Sequence, residues 1–218
     1  MFKYKNYKVI REYSNGRKTE IMFGFEKPYP KKKTVKRIVK LLDFYMEKYK
    51  GVSILLIGDG LSTKEREKEF GLIKRIINKN GVDVEISSTD DTIRALHTIL
   101  PSGKDSIIAF NTYSFNEFCN WNFMPGKPGE SKLKRIEDIN ITTNKDYIQY
   151  IFIHEFAHAI ETQYKIYENE ELIQLYEKHY EKFKSVSEFI VECFVVSENY
   201  LNNEIANKVR KIVDSIAL

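Results

Sequence analysis

Cysteine is scarce in this chain of 218 residues: only Cys119 and Cys193 occur, far apart and outside any Cys-x-x-Cys pair. That spacing excludes a disulfide framework and a cysteine-built zinc knuckle, and it suits reducing surroundings. Long apolar runs are also missing. Charge interrupts Met1-Phe2-Lys3-Tyr4-Lys5, and no stretch approaches the roughly 18 apolar residues of a membrane span. The expectation is a protein without membrane helix or cleavable signal peptide, cytoplasmic or exported by a route that needs no such signal. Glycine-rich phosphate cradles are lacking too. The lone Gly58-Asp59-Gly60 leads into neither a GxGxxG nor a P-loop pattern and reads as a turn.

Excess charge of one sign is modest, at +4, and acids are scattered among the lysines and arginines. The run Lys31-Lys32-Lys33, with Lys36, Arg37 and Lys40 behind it, has no aromatic stacking platform or recognition motif beside it. It reads as a solvated helix face, and no nucleic-acid partner is expected. Hydrophobic residues at 42% and charged residues at 30% are an ordinary globular balance, sufficient for one compact domain with a sizeable core. The pattern specifies no oligomeric state.

Along the chain, residues 7–13 and 19–25 have strand-like content. Val35, Ile38, Val39, Leu42, Tyr45, Met46 and Tyr49 recur at helical spacing over 34–49, ahead of Gly51. A strand over Val52–Ile57, a helix over 63–79 and a strand over Val82–Ser87 follow as a β-α-β unit. A helix over 91–99 stops at Pro101, and Ser106–Tyr113 is a further strand. Residues 116–131, with the only tryptophan, Trp121, form a loop rich in aromatics, Gly and Pro. After about residue 145 the character is nearly all helical.

One of those helices carries chemistry. Asp146 and Gln149 have capping-box spacing, and Ile148, Tyr150, Ile151, Phe152, Ile153, Phe156, Ala157, Ala159 and Ile160 cover almost every face behind them. Histidines and a glutamate inside such a helix are costly unless something binds them. His154 and His158 are four apart, so both project from one face, one turn apart, and can converge on one ion. Glu155 stands beside them, placed to hold and deprotonate a water. His154-Glu155-Phe156-Ala157-His158 is thus the HExxH pattern of zinc hydrolases.

Such enzymes use three protein ligands and one zinc ion. A metzincin would continue with Gly and His where this chain has Glu161 and Tyr164, which excludes that class. Later in the chain, Glu188 and Glu192 share one face of an apolar helical segment, one free to reach a metal while the other orients a histidine. Ser185 and Glu188 also have capping-box spacing, which would employ Glu188 locally. Cys119 would be the third ligand in a peptide deformylase, but the EGCxS pattern is missing around it. His179 would serve in a SprT-like protease, but no Gly-His-Gly surrounds it. A metal-stabilised protein-binding module without turnover would have no use for Glu155.

The segments His154-Glu155-Phe156-Ala157-His158-Ala159-Ile160-Glu161 and Glu188-Phe189-Ile190-Val191-Glu192-Cys193-Phe194 resemble the HExxHA(V/I)D and EFFAExF signatures of lethal-factor-like peptidases. That group includes the anthrax lethal factor catalytic domain and the clostridial Pro-Pro endopeptidases. The resemblance covers about residues 140–200. It implies a gluzincin metallopeptidase acting on a peptide or protein substrate, zinc held by His154, His158 and Glu188, and Glu155 as general base. Glu161 stands where aspartate is usual, and Ile190-Val191 replaces Phe-Ala. Relatives carry an oxyanion-stabilising tyrosine seven residues before the ligand glutamate. Here that position is Glu181, and Tyr180, eight before, is the candidate, with Tyr176 one turn away on a helix over 170–184.

The fold expected from all this is α+β, a zincin-like single domain. A small mixed sheet with helices occupies 1–145 and a helical metal-binding part occupies 146–218. By analogy with zincins, the strand over 106–113 would pair with an extended substrate.

Overall fold

The computed structural model describes residues 6–24, 32–61, 95–100, 102–111, 144–178, 183–199 and 203–218. The chain is α+β and divides into two compact units, Met1–Asn122 and Phe123–Leu218. The expected helix over 63–79, the strand over 82–87, the loop over 116–131, and Cys119, His179 and Tyr180 lie outside the described residues.

The first unit is built on a five-stranded mixed sheet in the order β1-β2-β3-β5-β4. Strands β1 (Asn6–Glu12) and β2 (Lys18–Gly24) form an antiparallel hairpin in which Val9 faces Ile21. Its turn closes by Gly16 N–H donating to the Tyr13 carbonyl, with Gly16 at φ +77°, a conformation glycine adopts without strain. Helix α1 (Lys32–Lys48) then crosses to β3 (Ile54–Leu61), which lies parallel to β2. The apolar positions at helical spacing in α1 are those that are buried, Val35, Ile38, Leu42, Tyr45 and Tyr49 among them. The Tyr13 phenol donates to Asp43, and Ser14 Oγ donates to Glu47 at 2.9 Å, so the hairpin turn is tied to the C-terminal half of this helix. Burial, together with the Asp43 charge, pushes the Tyr13 phenol far above its ordinary pKa, keeping it a donor.

Three expectations are corrected here. Gly58-Asp59-Gly60 is not a turn: β3 runs through it, with Gly58 paired to Ala109 and Asp59 to Phe110 of β5 (Ser106–Asn111). A register shift between Asp59 and Leu61 absorbs Gly60, a common use of glycine in a strand. Residues 95–99 are not helical either, but form β4 (Ala95–Ile99), antiparallel to β5. Pairing with β5 overrides the helical leaning of Ala95 and Leu96, and His97 Nε2 lies 2.8 Å from Ser106 Oγ across the two strands. Finally, β5 is flanked by β3 and β4, so both of its hydrogen-bonding edges are taken and it offers none to a substrate strand.

The second unit is helical: α2 (Asn144–Gln163), a short 3₁₀ turn (Ile166–Glu168), α3 (Glu170–Glu177), α4 (Val186–Asn199) and α5 (Glu204–Ala217). Helix α2 starts at Asn144, two residues before Asp146. The expected helix over 170–184 also stops early, at Glu177, and residues 183–185 are not helical. Asn169 caps α3 and Asn203 caps α5, each side chain accepting the backbone N–H three residues on. Helices α2 and α4 are apolar nearly all round. Phe152, Phe156, Ile160, Phe189, Val191 and Phe194 are all buried, each by an amount worth about 1.5–3 kcal/mol. No helix among the described residues is long and apolar enough to cross a membrane.

Candidate metal centre

Helices α2 and α4 pack against each other, and His154, His158 and Glu188 come together there. His154 and His158 stand one turn apart on α2, their rings 4.9 Å between centroids and nearly perpendicular, at 80°. Glu188, in the first turn of α4, brings Oε1 to 3.9 Å from Nε2 of His158. One donor atom from each of His154, His158 and Glu188 lies within 4.8 Å of the other two. Tetrahedral zinc with bonds near 2.1 Å holds its ligands about 3.4 Å apart, a closure within reach of side-chain rotation.

Each imidazole is also approached on its Nδ1 side. Glu192 places Oε1 3.6 Å from Nδ1 of His154, and Glu161 places Oε2 3.8 Å from Nδ1 of His158. Ser187 Oγ lies 3.4 Å from that same His158 nitrogen. Carboxylates at Nδ1 favour the tautomer with its proton there, leaving Nε2 as the electron-pair donor. Glu155, Glu161 and Glu192 are all deeply buried, at 7%, 2% and 4% exposure. Burying one uncompensated carboxylate costs several kcal/mol, so a group of them calls for positive charge. The donor set therefore fits a zinc ion in chemistry and charge.

The comparisons with known proteins add nothing to this picture: no family model, no curated protein and no solved structure matches the chain.

His158 registers the local field. Burial works against its protonation, but the carboxylates of Glu161, which faces Nδ1 at 3.8 Å, of Glu155 and of Glu188 outweigh it and lift its pKa above the ordinary imidazole value. In the metal-free chain the charged His158 thus stabilises the fold at acid pH. That contribution fades as pH rises through the raised value. A zinc ion bound through His158 would have to displace the same proton, so its apparent affinity should fall as pH drops through that value, by about tenfold per pH unit below it. A chelator-competition titration across about pH 5.5 to 8 checks this, and an affinity flat over that range would remove His158 from the ligand set.

The structure also separates the two uses of Glu188. Ser185 Oγ accepts the backbone N–H of Glu188 at 3.2 Å, so Ser185 does cap α4. The cap employs the main chain and leaves the Glu188 carboxylate facing His158. Tyr176, on α3, places its ring 6.1 Å from that of Phe189, next to Glu188 in sequence. Cys193 is fully buried in α4, where burial first and the Glu192 charge second push its thiol well above the usual range. One polar contributor has no counterpart in the sequence reading. Tyr150, treated there as an apolar position, donates its hydroxyl to Glu192 Oε1 at 2.8 Å. Its place four residues before His154, on the same helix face, is the signal that could have found it.

Proposed function

We propose that the chain is a zinc-dependent metalloendopeptidase of the gluzincin kind, with one zinc ion held by His154, His158 and Glu188. The observation that carries this reading is the approach of those three donors to within 4.8 Å on α2 and α4. Buried Glu155 lies next to them on α2. The resemblance to lethal-factor-like peptidases supports the same reading, and the α+β make-up suits a zincin-like catalytic domain.

Zinc, when bound, supplies Lewis acidity to the scissile carbonyl and to water. The work of the chain's own residues follows from their places. The two imidazoles and the Glu188 carboxylate would hold the ion, and Glu192 and Glu161 would keep the two rings oriented. Glu155 takes a proton from the attacking water and returns it to the leaving amine, and the apolar side chains of α2 and α4 keep bulk water out. Tyr180 is the residue proposed to donate to the oxyanion.

The test is direct. Purified protein should carry about one zinc per chain and cleave members of a peptide library; a chelator should abolish the cleavage and zinc restore it. Zinc retained with no cleavage across a broad library would point instead to a metal-stabilised binding module.

A further inference from the structure

We propose that Tyr150 is a positioning residue of this centre, whose phenol fixes the Glu192 carboxylate where it can accept a hydrogen bond from the Nδ1–H of His154. This rests on the metallopeptidase reading above. Tyr150 and His154 are successive residues of one helix face, their rings 5.9 Å apart and tilted by 37°. Glu192 comes from the facing helix α4. Its Oε1 accepts from the Tyr150 hydroxyl at 2.8 Å and stands 3.6 Å from His154 Nδ1.

The two distances differ in kind. The first is a hydrogen bond from phenol to carboxylate, and the second lies beyond hydrogen-bond length. In the metal-free chain the phenol is therefore the closer hold on this oxygen. A neutral imidazole offers Nε2 to a cation only while its proton sits on Nδ1, and Glu192 is placed to accept a hydrogen bond from that N–H and so keep the proton there. Tyr150 thereby prepares one ligand of the centre without touching the ion. His158 is served differently, its Nδ1 flanked by Glu161 at 3.8 Å and Ser187 at 3.4 Å.

The test is zinc affinity, measured by chelator competition on the full chain for wild type, Tyr150→Phe, Glu192→Ala and the double variant. Phe keeps the ring but removes a donor to the buried Glu192, so metal-free Tyr150→Phe should stay folded with a modestly lower thermal midpoint, and zinc affinity is read on the folded variant. Its zinc affinity should fall about tenfold, and that of Glu192→Ala by up to about a hundredfold. The double variant should match Glu192→Ala, because no carboxylate then remains to be positioned. Two results would overturn the proposal alone: unchanged zinc affinity in Tyr150→Phe beside a zinc-binding wild type, or a full second loss in the double variant. A wild type that binds no zinc overturns the metallopeptidase reading and this proposal together.

Discussion

Glu155→Gln should keep its zinc and lose about 10²- to 10⁴-fold in turnover of any peptide the wild type cleaves. The exchange preserves shape and removes only the charge and the basic oxygen pair. Glu155 stands between the two histidines in sequence and is buried, and its charge acts on His158. That position would leave it beside an ion held by His154, His158 and Glu188 and outside that donor set. Removing its charge takes away one of the carboxylates that lift His158, so zinc should compete with a slightly weaker proton, and occupancy at neutral pH should hold. The loss should therefore fall on kcat, with substrate KM little changed. Zinc content, KM and kcat measured on one preparation decide the matter. Full activity in Glu155→Gln would end the general-base assignment even if every ligand were right.

Much of this site was legible in the sequence because its geometry is local. His154 and His158 lie one turn apart, and any helix brings them to one face. Glu188 and Glu192 have the same relation, which is why either one qualified as a ligand before α4 was seen packed on α2. Their division of labour was not legible, since it depends on how the two helices face each other: Glu188 meets His158 Nε2, and Glu192 meets His154 Nδ1. Tyr150 was hidden for the same reason, one of fourteen tyrosines until a carboxylate from another helix reached it.

The sheet was misread where long-range pairing decided. Residues 95–99 carry a pattern too short to separate helix from strand. Leu100 N–H donates to the Asp105 carbonyl at 2.7 Å, and Gly103 takes φ +68°, so the segment closes as a hairpin onto β5. The Pro101-Ser102-Gly103-Lys104 stretch between two apolar runs was the available signal. At Gly58-Asp59-Gly60, glycines flanking an aspartate resembled a turn, and only β5 alongside shows that the chain stays extended.

Glu188→Ala should abolish stable zinc binding, and this result separates a ligand from its supporting groups. If roughly 10–16 kcal/mol of apparent zinc binding is shared among three protein ligands, losing one costs more than about a hundredfold in affinity. The variant should still fold. Alanine favours the helix, and Ser185 caps α4 through the Glu188 backbone N–H, which alanine keeps. The Glu188 side chain is only partly buried, at 29% exposure, so little packing is lost with it. Glu192→Ala, by contrast, should weaken zinc by no more than about a hundredfold, because its oxygen faces Nδ1 of His154, where in the proposed centre it would orient the ring and not bind the ion. The order of the two losses is the decisive quantity. A larger loss at Glu192 than at Glu188 would exchange their roles, moving the ligand one turn along α4. Equal retention of zinc in both would mean that the third ligand comes from elsewhere, and the gluzincin assignment would fall while the paired histidines of α2 stood.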